Sequence, residues 1–149
     1  MQSTIQIGNI VKAAAKDNMS AIALTDTGNM MASFHFVSAI LKHNKQASAK
    51  NEISEENGET PTETILKPIL GCEFNVCEDH LDKKRKDNGY QIVLLAKTKK
   101  GYHNLAKMSS IAFINGFYYV PRIDRKIIEQ YKDDAVSYTH LTLPTILLV

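Results

Sequence analysis

The amino-acid sequence predicts an α/β protein with mainly parallel strands wrapped by helices. Two observations support this class: helical and extended patterns alternate over the first part of the chain, and a short strand pattern ends at an acidic residue and a glycine in Ala21-Ile22-Ala23-Leu24-Thr25-Asp26-Thr27-Gly28. Strands that alternate with helices usually build parallel sheets. With 149 residues and 44% hydrophobic composition, the chain is long enough for one domain with a core and short for two.

The first three elements are predicted as a helix, a strand and a helix. The first helix, over about residues 8–18, carries an apolar stripe with the spacing i, i+3, i+4 and i+7, and a strand over residues 21–25 follows it. A second helix is predicted over about residues 30–43, with one face on the sheet. The stripe residues are Ile7, Ile10, Val11 and Ala14 in the first helix and Phe34, Val37, Ser38 and Leu41 in the second.

The second half of the chain is predicted to add strands and two more helices. Extended segments flank Gly71-Cys72-Glu73, and residues 90–96 form a strongly β-patterned strand. A third helix covers residues 101–115, and Asp124 is expected to cap a short fourth helix that ends near residue 132. The inward stripe of the third helix is Leu105, Met108, Ser109 and Ala112.

Two polar segments interrupt these elements. Residues 44–64 have almost no apolar side chain and are predicted as a disordered insertion in a loop, because they cannot bury enough surface to offset the entropy of ordering. The alternative for this segment is an acidic interaction patch. Residues 78–88 balance Lys83-Lys84-Arg85-Lys86 with four acidic residues, which favours a solvated loop over a contact with a phosphate backbone.

Composition excludes few classes of function. A net charge of +2 is too small to indicate an electrostatic nucleic-acid binder, and it does not exclude a DNA partner. The sequence has no apolar run long enough for a membrane span and no secretory signal pattern, so a cytoplasmic protein without a membrane partner is expected. Alternation along an extended segment sends Cys72 and Cys77 to opposite faces, which predicts two reduced, unpaired cysteines.

Asp26 lies at the carboxyl end of a predicted strand, where α/β proteins place metal ligands and catalytic groups. The alternative is a turn residue or a helix N-cap. The histidines before the C-terminal segment form no ligand spacing, so a surface or helix-packing position is expected for each. They are His35, His43, His80 and His103.

Several segments, in their order along the chain, resemble one family. They are Thr25-Asp26-Thr27-Gly28, Lys67-Pro68-Ile69-Leu70-Gly71-Cys72-Glu73, Gly101-Tyr102-His103-Asn104-Leu105 and Gly116-Phe117-Tyr118-Tyr119-Val120-Pro121-Arg122-Ile123-Asp124. Over roughly residues 5–132 the chain resembles the PHP domain (polymerase and histidinol phosphatase) of the alpha subunit of bacterial DNA polymerase III.

The resemblance implies a distorted α/β barrel of the PHP type. This chain is expected to hold it incompletely, truncated at both ends, as a partial PHP domain over residues 1–135. Residues 136–149 depart from the family pattern and resemble translated adapter sequence, so they are predicted to be a non-native tail in which His140 has no role.

The resemblance also implies a metal site in the family's active members, which hydrolyse phosphodiesters with about nine nitrogen and oxygen ligands. Two ligand positions are retained here: Asp26, in the motif that elsewhere reads Thr-Asp-His-Gly, and Glu73, in Gly-x-Glu. Thr27 and Gln91 stand where the family has histidine, and both are poor ligands for zinc or manganese. We therefore expect a degenerate site, with Asp26 and Glu73 as residual ligands and Zn²⁺ or Mn²⁺ only if the site is active.

The function that the resemblance implies is that of a fragment of a replicative DNA polymerase, whose own catalytic Mg²⁺ ions are held by a palm domain absent from these residues. The fragment, with no cofactor of its own, would serve a structural role and bind the proofreading exonuclease subunit, and would meet the rest of the polymerase chain and, through it, DNA. The alternatives are a metal-dependent PHP phosphoesterase or 3'-5' exonuclease, or a stand-alone interaction module. Arg122, within the family motif, is expected to anchor a carboxylate inside the domain or to face the adjoining polymerase region.

Overall fold

The structure is a computed structural model, and it describes residues 5–137. Four helices and five strands follow one another along the chain: α1 (Ile7–Lys16), β1 (Ala21–Thr27), α2 (Ser33–Glu56), β2 (Lys67–Cys77), β3 (Tyr90–Ala96), α3 (Lys99–Ile114), β4 (Arg122–Asp124), α4 (Arg125–Tyr131) and β5 (Ala135–Ser137). The chain divides into two compact units. Among the described residues, unit 1 comprises residues 5–24 and 31–69, and unit 2 comprises residues 25–30 and 70–137.

Unit 1 contains the pair of helices α1 and α2. The stripe predicted for α1 is confirmed at Val11 and Ala14, which are buried. The face predicted for α2 is wrong, because Phe34 is 76% exposed and Leu41 is 58% exposed. The buried residues of α2 are Ser33, Phe36, Ile40 and Ala47. Two of these four, Ser33 and Ala47, are small, so the spacing of the larger apolar residues predicted the neighbouring face.

Helix α2 extends to Glu56, well past the predicted end at residue 43. The disorder predicted for residues 44–64 is therefore wrong for the part up to Glu56. Two asparagines, two helical turns apart, hold the helix to the returning chain: the Asn44 amide donates to the Leu66 carbonyl (2.8 Å) and accepts from its N–H (2.9 Å), and Asn51 does the same with Glu63 (2.9 and 3.0 Å). These hydrogen bonds contribute free energy that offsets the entropy lost when the segment is ordered, and composition alone does not indicate them.

The α/β class is confirmed, but the sheet is mixed rather than mainly parallel. Its strand order is β1-β2-β3-β5, and β4 also pairs with β2. β2 and β4 are parallel, whereas β2 with β3 and β3 with β5 are antiparallel. The β2 and β3 strands are antiparallel because the loop of residues 78–89 between them contains no crossover helix, which a parallel neighbour requires. Closure into a barrel stays an expectation.

In unit 2, alternation along the strands places a buried apolar cluster on one face of the sheet. Cys72, Phe74, Leu94 and Ile123 form a buried cluster with Leu105, Met108 and Ala112 of α3 and with Ile128 of α4. The stripe predicted for α3 is thus confirmed at its three apolar positions. The intervening strand residues, which include Glu73, Asn75, Gln91 and Arg122, share the other face by register.

Two smaller predictions are also settled in unit 2. Asp124 is the N-cap of α4, since its carboxylate accepts a hydrogen bond from the Ile127 N–H at 3.0 Å. Cys72 and Cys77 are both free and buried. Of the predicted non-native tail, residues 136 and 137 lie in β5, and the rest falls outside the described residues.

Candidate functional site

Asp26 and Glu73, the two predicted ligand positions, lie in neighbouring parts of the unit 2 sheet. Gly28 has a φ of +73°, a conformation that favours glycine, and it turns the chain directly after β1. Its N–H donates to the Glu73 carbonyl at 2.7 Å, and its carbonyl accepts from the Ser109 hydroxyl at 2.7 Å. These two bonds fix the end of β1 against the middle of β2.

The two carboxylates share a neighbour in Cys72. Burial raises the pKa of the Cys72 thiol to about 12, and the negative charges of Asp26 and Glu73 add to the increase. The structure therefore brings both side chains into the electrostatic range of one thiol. Both residues are half-buried.

Thr27 and Gln91, the two positions where histidine was expected from the resemblance, are exposed. Thr27 directly follows Asp26, and Gln91 pairs with Asn75. Because Glu73 and Asn75 are two residues apart in β2, the register puts Gln91 on the same face of the sheet as Glu73, in the diagonal position. A histidine at residue 91 would stand beside Glu73, and glutamine there supplies a weaker ligand.

In the part of the chain that the structure describes, Asp26 and Glu73 are not joined by a third ligand residue. Within residues 5–137, Asp26 and Glu73 belong to no group of three or more His, Cys, Asp or Glu ligand atoms close enough to share an ion. A zinc or manganese ion held by protein alone usually needs three or four such ligands. We therefore derive no chemical step through a metal at this position.

A different group of ligand atoms does come together, around His80. The Nδ1 atom of His80 lies 2.6 Å from Oδ2 of Asp124, both side chains are buried, and a carboxylate oxygen of Asp79 lies within 4.8 Å of both. The surface position that was one of the two expectations for His80 is wrong, because this residue is 7% exposed. Sequence spacing gave no signal here, since His80 and Asp124 are 44 residues apart.

The hydrogen bonds of Asp124 make the pair a structural one. Burial opposes ionisation of this carboxyl group, but bonds from His80 and from the Ile127 N–H outweigh it and hold the pKa of Asp124 below its usual value. Each carboxylate oxygen of Asp124 thus already has a donor. The guanidinium of Arg122 also donates to the His80 carbonyl (3.3 Å), which holds the backbone of His80 in place.

Arg122 organises the segment that was predicted to be a solvated loop. It is fully buried, and it donates to four backbone carbonyls: those of Gly116 (3.1 Å), Asp87 (2.8 Å), Asp82 (2.9 Å) and His80 (3.3 Å). Internal anchoring was therefore the correct alternative, but the guanidinium anchors carbonyls and not a carboxylate. The loop of residues 78–88 winds around this side chain.

The comparison with known families identifies the chain. A family model described as "PHP domain" matches residues 1–144. The chain belongs to the PHP domain family. The match also runs through residues 136–144 of the predicted non-native tail, and the origin of that tail stays a prediction.

Similar proteins of known name share one description. This PHP domain is 34% identical over 140 residues to the DNA polymerase III subunit alpha of Borreliella burgdorferi and 32% identical over 140 residues to that of Chlamydia muridarum. The same subunit of Aquifex aeolicus is 29% identical over 148 residues. These alignments cover 91–93% of the PHP domain chain but only 10–11% of each relative, so the chain spans about a tenth of the length of the curated relatives it matches. Within residues 5–137, none of the helices is both long and apolar enough to cross a membrane.

Proposed function

We propose that this PHP domain is part of a DNA polymerase III alpha subunit and acts in DNA replication as one piece of a replicative polymerase. The observation that carries the proposal is the alignment of 91% of the chain with subunits of that name, at 34% and 32% identity. Nucleotide transfer with Mg²⁺ would belong to the parts of the subunit that these residues do not span. The cellular location would then be the cytoplasm, where the chromosome is copied.

Within the polymerase, the proposed role is structural, with a metal site that has lost its ligands. Thr27 next to Asp26 and Gln91 diagonal to Glu73 support this role, because both replace histidine at positions where an imidazole would join the retained carboxylates. The proposed partners are the rest of the polymerase chain and the proofreading exonuclease subunit. The family resemblance supports these partners, and no contact in the chain itself identifies them.

The first experiment measures metal content and phosphodiesterase activity of the full-length alpha subunit that carries these residues, purified without its exonuclease subunit. We expect less than stoichiometric zinc or manganese, no hydrolysis of a DNA 3' end, and intact DNA synthesis. Stoichiometric metal with hydrolysis that Asp26→Ala or Glu73→Ala abolishes would instead establish the alternative, an active PHP exonuclease or phosphoesterase.

A matched gain-of-ligand variant makes the negative result informative. Thr27→His combined with Gln91→His restores both imidazoles, and we expect it to raise the bound zinc or manganese above the wild-type level. Thr27→Ala combined with Gln91→Ala changes the same positions without adding ligands and is expected to leave the metal content unchanged. Stoichiometric metal in all three proteins would argue against the degenerate-site account.

The proposed partner is tested separately. The purified exonuclease subunit is titrated against the alpha subunit with and without the PHP domain, and the dissociation constant is measured by calorimetry or anisotropy. Weaker binding without the domain, with DNA synthesis retained, supports the docking role. Unchanged exonuclease binding would assign that partner to another part of the polymerase.

A further inference from the structure

Helix α2 has apolar side chains on two faces, and only one of these faces is buried. The buried face contains Phe36, Ile40 and Ala47. The other face is the stripe that the sequence pattern predicts, and it leaves Phe34 76% exposed and Leu41 58% exposed. These two residues are seven positions apart, so they lie on one side of the helix, two turns from each other. An exposed apolar stripe with this spacing is typical of a helix face that packs against another helix.

The helices around this stripe carry only positive charge. Neither α1 nor residues 33–50 of α2 contain an aspartate or a glutamate. Lys50 is paired with Glu63. The other lysines of these two segments form no ion pair within the described part of the chain, and all of them are exposed. They are Lys12, Lys16, Lys42 and Lys45. The positive charge is therefore not neutralised within these helices.

The charge on α2 changes sign towards its carboxyl end, which limits the kind of ligand that fits. Glu52, Glu55 and Glu56 are exposed and lie in the last part of the helix. An anionic bilayer or a nucleic acid laid along α2 would meet these carboxylates as well as the lysines, and their repulsion would oppose binding. A short helix can instead cover residues 33–50 alone, a length of about 27 Å. The charge pattern thus favours a small acidic ligand.

We propose that the α2 face, formed by Phe34, Leu41, Lys42 and Lys45, binds a short amphipathic helix of a protein partner whose apolar stripe is flanked by acidic residues. Phe34 and Leu41 are the apolar anchors. Lys45 lies one turn after Leu41 and, with Lys42, pairs with the acidic residues of the partner. An aromatic anchor with charged pairs at the rim is the usual arrangement of protein interfaces. This proposal goes beyond the polymerase assignment and uses none of the candidate site residues.

The test is fluorescence anisotropy of a labelled synthetic peptide titrated with the full chain. The peptide has about 18 residues, with leucine at positions i, i+3, i+4 and i+7 and glutamate at most others, so that its helix matches residues 33–50 in length. We expect Phe34→Ala to weaken binding roughly 10-fold or more, with the fold checked by circular dichroism. Ile53→Ala is the matched control, because it removes a 57% exposed apolar side chain from the acidic part of α2, and we expect less than about a 2-fold change.

The lysines are tested by a charge swap. Lys42→Glu combined with Lys45→Glu places like charges opposite the peptide, and we expect it to weaken binding by at least roughly 10-fold. A second peptide with lysine in place of every glutamate reverses the charge of the ligand. We expect this peptide to bind the double variant more tightly than it binds the wild type. Added salt is expected to weaken both matched pairs, because the charges are exposed.

Several results would overturn the proposal. They include no binding by the folded wild type at about 1 mM peptide, equal binding by Phe34→Ala, and equal binding of the two peptides by the wild type. Binding of phosphatidylglycerol vesicles in place of the acidic peptide, with the same dependence on Phe34, would assign the α2 face to a membrane surface and would also refute it. Peptide binding that is lost in the full-length alpha subunit would assign the face to that subunit's own chain and refute a separate partner. The polymerase assignment is read from metal content, DNA synthesis and exonuclease binding, so it is unaffected by these outcomes.

Discussion

Arg122 offers the sharpest test of how this domain holds its long loop. Its buried guanidinium donates to four carbonyls, three of which belong to the loop of residues 78–88. Replacement by lysine keeps the positive charge and most of the aliphatic stem. A lysine ammonium has three N–H donors in a compact head, so at least one of the four carbonyls must lose its partner.

The number of carbonyls that lose their donor sets the expected loss in free energy of unfolding. A hydrogen bond to a charged group contributes about 1.5–3 kcal/mol, so Arg122→Lys is expected to lower the free energy of unfolding by about 1.5–3 kcal/mol. Arg122→Ala also leaves a cavity and all four carbonyls without this donor, and about 3–5 kcal/mol is expected, the range for breaking a buried charged network. Against a total stability of about 5–15 kcal/mol, either loss is readily measured.

Urea unfolding at pH 7 gives the free energies, and limited trypsin digestion reports on the loop itself. The loop carries four trypsin sites at Lys83-Lys84-Arg85-Lys86, so faster cleavage there is expected in both Arg122 variants before global unfolding. Arg125→Lys is the matched control, because Arg125 is exposed and bonds only Glu129 in the described structure; a change below about 0.5 kcal/mol is expected. If Arg122→Lys unfolds within 0.5 kcal/mol of wild type and its loop resists trypsin equally, the anchoring argument is wrong.

Three further predictions concern acid stability, thiol reactivity and packing. Because the pKa of Asp124 is lowered in the fold, its ionised form stabilises the protein above the usual carboxyl pKa. Asp124→Asn keeps the N-cap and is expected to be less stable than wild type at pH 7. Urea unfolding between pH 7 and pH 3 should show this difference disappear as the pH falls below about 4. Cys72, whose pKa is raised to about 12 and which is fully buried, should resist iodoacetamide at pH 8 in the native protein and react in urea, as mass spectrometry would show; rapid native labelling would contradict its burial. Gly116→Ala should destabilise the protein by about 2–4 kcal/mol, because the added Cβ would lie 1.9 Å from a backbone carbonyl oxygen. Gly8→Ala has open space in a helix and should stabilise the protein by up to about 1 kcal/mol. Equal thermal midpoints for the two variants would refute this contrast.

Sequence patterns were sufficient where a contact is local or periodic. The stripe of α3, the strand over Tyr90–Ala96 and the N-cap at Asp124 were predicted from spacing within a few residues, and the structure has all three. The family resemblance, which the comparison confirms, rested on motifs at fixed positions. The mixed direction of the sheet was missed because the class was predicted from the alternation of helices and strands in the first part of the chain, whereas the helix-free loop between β2 and β3 requires an antiparallel pair.

The candidate site was predicted less well, for a physical reason. Asp26 and Glu73 were singled out because each is part of a local motif, and their role as ligand positions stays a prediction. The pair of His80 and Asp124 was not found, since a histidine in a charged segment looks solvated until its partner is known. Its burial depends on a contact across 44 residues that no spacing rule encodes.

The two polar segments show that composition alone does not predict whether a segment is ordered. Both were expected to be solvated because their composition cannot bury apolar surface. Each is ordered instead by side chains that bond to backbone: Asn44 and Asn51 reach an extended segment 12–22 residues away, and Arg122 reaches loop carbonyls 35–42 residues away. A few polar side chains that satisfy backbone groups can therefore replace an apolar face, and a segment ordered in this way keeps its charged residues at the surface.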